Sequence, residues 1–160
     1  MRRTLRILFL AAISFGAPIS SVAWADLDEA RYAYDNNYFN TAFREYRPLA
    51  EQGNAEAQLR LGQMYEMGKG TAKDDTEAVA WYRLAADQDH PDAQFNLGYM
   101  YAHGLGVSAN PVHALMWWRL ASEKGHAMAQ KGWFRLSMGA TAAQQEKAQA
   151  RAAAWRAAHP

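Results

Sequence analysis

The chain predicts an all-α fold, an array of antiparallel helical hairpins, and three observations carry that prediction. The phrase LGQMYEMGKG (Leu61–Gly70) returns as LGYMYAHGLG (Leu97–Gly106), with six of ten positions identical at an offset of 36 residues. Over the longer alignment of Ala55–His90 with Pro91–His126, 14 of 36 positions match without a gap. The shared residues also fall at helical spacing. Ala57, Leu61, Met64 and Tyr65 recur as Ala93, Leu97, Met100 and Tyr101, an i, i+4, i+7, i+8 stripe. Ala78, Trp81 and Ala85 recur as Ala114, Trp117 and Ala121 on a second such stripe. Finally, 50% hydrophobic and 21% charged residues, with six tryptophans and eight tyrosines, supply a packed core rather than a disordered chain.

The first 25 residues read as a leader. Arg2, Arg3 and Arg6 precede an apolar run from Ile7 to about Ile19, and Ala23-Trp24-Ala25 forms a small-x-small cleavage site. The run is short for a membrane span, which needs about 20 residues. The residues after the paired arginines fit the folded-protein export route poorly, so general secretion with a mature start at Asp26 is the expectation. No cysteine follows the run, which excludes a lipoprotein anchor. Loss of the three arginines leaves 14 of the 17 basic residues against 16 acidic ones. No basic tract for nucleic acid and no stable membrane span after cleavage are expected.

A divergent hairpin follows at 26–53. Ala42 and Tyr46 stand 36 residues before Ala78 and Tyr82, and Asn37 takes the turn, where asparagine tolerates left-handed geometry. Two regular units occupy 54–89 and 90–125, each reading as helix, glycine turn, helix. Gly68 and Gly104 are placed to end the first helix of each. Second helices start at Asp74, with Glu77 positioned for a capping box, and at Asn110, with Pro111 at the first helical position. The remainder, 126–160, reads as a partial repeat and a capping helix. Ala129-Gln130 continues the Ala-Gln pair of both units, and Thr141 with Gln144 opens an alanine-rich helix that shields the last repeat.

Gly62 and Gly98 lie inside helices, where glycine costs roughly 1 kcal/mol against alanine. Close approach of a large side chain would offset that cost, and Trp81 and Trp117 are the expected partners. One hairpin cannot bury its apolar face alone, whereas stacked hairpins bury a continuous core.

The pattern A-x-x-x-L-G-x-x-Y-x-x-G-x-G followed by A-x-x-W-Y-x-x-A-A, written here as AQLRLGQMYEMGKG…AVAWYRLAA and AQFNLGYMYAHGLG…ALMWWRLAS, resembles the Sel-1-like repeat, a relative of the tetratricopeptide repeat. Trp118 stands where that pattern has tyrosine, a conservative departure. The resemblance implies a right-handed superhelix, a role in protein–protein interaction, adaptor work or assembly, and, with the arginine-led leader, an exported protein of the bacterial envelope, periplasmic or secreted. One cysteine-rich branch of the family is associated with β-lactam binding. This chain has no cysteine and no Ser-x-x-Lys or Gly-x-Ser-x-Gly, so that activity is not expected.

Residues with chemical potential have structural readings. His90 and His126 share one position between helices and read as turn residues. His103 and His113 flank the second glycine turn and could approach each other, yet a metal site needs three or four convergent ligands. The Gly-x-Gly turns belong to no phosphate-binding loop. No cofactor, metal or catalytic set is expected, and the chain does not read as an enzyme.

The expected function is binding of a protein or peptide partner in the envelope. The alternatives are a small-molecule binder or hydrolase of the cell wall using the same groove, and a scaffold segment of a larger complex. In stacked hairpins of this kind the first helix of each unit lines the concave side. Positions off the core stripe should therefore make the contacts: Leu59, Arg60 and Gln63 in the first unit, Phe95, Asn96 and Tyr99 in the second, Lys131 and Arg135 in the third.

Overall fold

A computed structural model of the chain describes residues 20–159. Among these residues there are eight helices and no strand: α1 (Ser20–Asp35), α2 (Phe39–Glu51), α3 (Ala55–Met67), α4 (Asp75–Asp87), α5 (Pro91–His103), α6 (Pro111–Glu123), α7 (Ala127–Gly139) and α8 (Ala142–Ala158). The leader read at 1–25 lies, up to residue 19, outside the described residues, and α1 runs across its expected end.

Each helix packs on its successor from α1 to α7, so α1/α2, α3/α4 and α5/α6 form hairpins that stack into the expected solenoid. The helix ends have local causes. Gly68 and Gly104 leave α3 and α5 with φ of 65° and 68°, where L side chains are strained. The chain then closes identically in both repeats. The N–H of Asp74 donates to the Tyr65 carbonyl at 2.9 Å, and that of Asn110 to the Tyr101 carbonyl at 2.8 Å. Asp74 and Asn110 also cap α4 and α6 through their side chains. The reciprocal Glu77 bond expected at α4 is not made, whereas Thr141 and Gln144 form the full capping box of α8. Asn37 adopts φ 62° in the first turn.

Successive units touch at two further places. Gly106 lies so close to the start of α4 that an added Cβ would sit 2.1 Å from the Asp75 carbonyl oxygen, and one added at Gly70 would sit 2.2 Å from that of Phe39. The buried amides of Gln58 and Gln94 donate to Ala50 and Ala86, at 3.0 and 3.3 Å, satisfying carbonyls at the ends of the preceding second helices.

The glycine packing differs from expectation by one residue. Gly62 faces Tyr82, and Gly98 faces Trp118; an added Cβ would come within 2.7 and 2.6 Å of those rings. Trp81 instead packs half-buried against the core of α1–α3, and Trp117 meets Trp155 of α8 edge-on at 5.9 Å. Consecutive helical residues point about 100° apart, so only one of each aromatic pair reaches the glycine. α8 departs from the repeat plan. It lies on α6, burying Ala148 and Ala152, and so caps the last complete hairpin. α7 therefore buries only Ala129 fully and leaves Met128, Phe134 and Met138 exposed.

Candidate interaction groove

A groove of about 550 Å³ runs between α5 and α7, with the Trp118 indole of α6 in its floor. Three small contacts position that indole. Gly98 meets its five-membered ring and Gly132 its six-membered ring, so the tryptophan is clamped between glycines on both flanking helices. Its Nε1–H donates to the Phe95 carbonyl at 3.0 Å. Trp118 is thus 6% exposed while still lining the groove.

The walls are mostly apolar. Phe95 stacks on His126 at 4.6 Å and on Trp118 at 6.5 Å. The His126 ring is itself fixed, because Nδ1 accepts from the Ala129 N–H at the start of α7. Tyr99 packs on His103 at 4.1 Å, Pro111, Met128 and Leu136 add apolar surface, and Gln144 of α8 closes one end. Lys131 and Arg135 stand one turn apart on the α7 side. Neither makes an ion pair among the described residues. No carboxylate lines the groove.

Of the eight expected contact residues, four converge here: Phe95, Tyr99, Lys131 and Arg135. The others do not. Leu59 is 2% exposed and belongs to the core cluster that continues into α5, so it is not a surface residue. Asn96 is half-buried and turns toward the Tyr82 hydroxyl instead of the groove. Arg60 and Gln63 bond each other at 3.3 Å, within a polar network in which Arg60 also holds Glu56 at 2.9 Å and lies over the Tyr34 ring. The hydrogen bond from His90, helped by the Arg60 guanidinium against the opposing effect of burial, holds the Glu56 carboxyl down at about 2. Beside this network, burial and the neighbouring Glu66 carboxylate push the Tyr82 phenol up, and its hydroxyl donates to Glu66.

The histidines at the second turn do not meet. His103 packs on Tyr99, whereas His113 stacks on Tyr101 at 4.9 Å and takes a bond from Arg151. Burial, then Arg151, Arg83 and Lys147, lower the His113 pKa. Among the described residues no three potential metal ligands gather. Sequence reasoning missed Trp118 as the groove floor and Gly132 as its second clamp. The available signal was paired: Trp118 replaces the tyrosine of the first repeat, and Ala102 replaces its Glu66 partner.

The Sel1 repeat family model matches residues 55–90 and 91–126. The chain carries two Sel1 repeats, and such repeats are helical modules for protein interaction, typically without catalytic activity. Three solved structures are similar. The c5321 protein, a protective antigen of uropathogenic Escherichia coli with the same repeat fold, is 28% identical over 83% of this chain and 29% of its own, with a TM-score of 0.79. A Sel1 repeat protein from Oxalobacter formigenes is 37% identical over 69% of this chain and 49% of its own, with a TM-score of 0.61. Helicobacter pylori cysteine rich protein B, 22% identical over 72% of this chain and 98% of its own, shares the fold with a TM-score of 0.55. The chain thus spans less than a third of the first and about half of the second. No curated protein matches it in sequence. No helix among the described residues is long and apolar enough to cross a membrane.

Proposed function

We propose that this chain is an exported adaptor of the bacterial envelope, and that it binds a segment of a partner protein on the concave face formed by its first helices. The observation that carries the reading is the α5/α7 groove, where Phe95, Tyr99, Lys131 and Arg135 surround a fixed Trp118. A large aromatic floor with a few polar groups at the rim is the composition of an interface hot spot. The walls offer no serine, cysteine or carboxylate to act as nucleophile or acid, which favours binding over hydrolysis. The leader, read from the sequence, supports the location.

The test is crosslinking capture from the native envelope followed by mass spectrometry, with the exported chain sequenced from its N-terminus. A start at Asp26 and a partner lost on Tyr99→Ala with Met128→Ala are expected. Both residues are exposed, so the helical melt should not move. A chain retained with Met1 on the membrane, or a partner captured equally by the double variant, would overturn the respective half.

A further inference from the structure

We propose that the groove selects a protein segment in which an apolar side chain is followed closely by a carboxylate, the apolar group resting on Trp118 and the carboxylate pairing with Lys131 and Arg135. The inference rests on the concave-face reading and adds the chemistry of the occupant.

The charge pattern carries it. α7, AMAQKGWFRLSMG, holds two cations and no acid. Most cations elsewhere are matched: Arg31, Arg47, Arg60 and Arg119 each face a carboxylate within one turn of their own helix, and Lys124 and Arg156 reach one on another element. Lys131 and Arg135 instead stand four residues apart, where like charges repel. They border a groove whose lining contains no acid. The one acid of α5, Asp92, already faces His126 at 3.2 Å. A carboxylate placed between the two α7 cations relieves their repulsion and finds donors in the fork geometry of arginine. Desolvating such a pair beside Trp118 strengthens it relative to water.

The upstream surface gives direction. Where the second repeat has Ala102, the first has Glu66, bound to Tyr82. An acidic segment is therefore favoured at α7 and disfavoured toward α3. α7 also leaves Phe134 and Met138 exposed, 63% and 76%, outside the groove, which gives further apolar surface to an occupant longer than a small molecule.

Random short peptides displayed on phage, panned against the full chain, test this directly. Enriched peptides should place Asp or Glu beside Phe, Leu, Met or Trp. Lys131→Glu with Arg135→Glu should weaken them by about tenfold or more and should enrich Lys- or Arg-bearing peptides in a fresh selection. Ala102→Glu should weaken the same peptides in the same direction. Circular dichroism melts check that each variant folds, above all Ala102→Glu, since Ala102 is half-buried against the core. Enriched peptides that need Tyr99 and Met128 but show no acidic bias, and that ignore the charge reversal, would overturn this inference while leaving the groove reading intact. Peptides indifferent to Tyr99→Ala with Met128→Ala, or no enrichment at all, would overturn both. Self-association that those two substitutions abolish would make the occupant a second copy of the chain and would also overturn the proposal.

Discussion

The first repeat, 55–90, and the second, 91–126, share their helix ends, turn closures and buried glutamines, yet their inner faces do opposite things. In the first, Arg60 bonds Glu56 and Gln63, Glu56 faces His90, and Tyr82 is tied to Glu66, so these polar groups are paired within the protein, the buried His90 Nδ1 excepted. In the second, Asn96, Ala102 and Trp118 replace Arg60, Glu66 and Tyr82, and the surface opens into an apolar groove. The backbone of the repeat is specified by what recurs. The binding chemistry is specified by what changes at matched positions, and coupled changes such as Tyr–Glu to Trp–Ala are the informative ones.

The sharpest way to break this comparison is at the two glycine-facing aromatics. Trp118→Ala and Tyr82→Ala should each destabilise by roughly 3–5 kcal/mol, read from urea melts, because both rings fill space between helices. The contrast lies in the milder variants. Tyr82→Phe removes only the hydroxyl that reaches Glu66, at about 1 kcal/mol. If Trp118→Ala shifts the melt by only a few tenths of a kcal/mol, the indole is not the keystone of the groove floor.

Next in size is the space beneath those rings. Gly98→Ala places a Cβ 2.6 Å from an indole that is backed on its other side by Gly132 and held at Nε1 by the Phe95 carbonyl of α5 itself. The ring has nowhere to retreat, and overpacking of this kind costs about 1–3 kcal/mol despite alanine's better helix propensity. Gly132→Ala meets the same indole at 3.1 Å, a contact relieved by a small shift of α7, and should cost less. In a Trp118→Ala background Gly98→Ala should become neutral or stabilising. Thermal melts of the four combinations measure the coupling, and additive losses would show that the glycine is not there for the tryptophan.

These residues also mark where sequence reading stopped. The 36-residue period, the left-handed Asn37 turn, the Asn110 cap and the Thr141–Gln144 box are local features, encoded by residue type at fixed spacing, and all were legible. Which of two adjacent aromatics faces the glycine was not, because Trp81-Tyr82 and Trp117-Trp118 are both large and apolar and only tertiary packing chooses between them. Burial at matched positions was equally hidden. Leu59 is buried in a cluster extending into α5, Phe95 is partly covered by His126, and Lys131 is exposed. Each unit is covered by its successor until α8 leaves the repeat plan. The placement of α8 on α6, where Trp155 meets Trp117, has no signature in the repeat itself.

The smallest expected effect separates the two histidine–carboxylate pairs. Glu56 faces His90 with 24% of its side chain exposed, whereas Asp92 faces His126 with 58% exposed. In the folded chain the Glu56 carboxyl titrates at about 2, below its ordinary value of 4.5. As pH falls through that window, the unfolded chain takes up the proton before the folded chain does. The stability contributed by this carboxylate is therefore full above pH 4.5 and is lost progressively toward pH 2. Glu56→Gln should lower stability at neutral pH and flatten the acid limb of a stability–pH profile measured by urea titration. Asp92→Asn, which removes a largely exposed carboxylate, should change neutral stability by no more than about 0.5 kcal/mol. Equal losses from the two substitutions would mean that the first repeat's inner network is no tighter than the second's open edge, and that the division between a closed and an open repeat face is drawn in the wrong place.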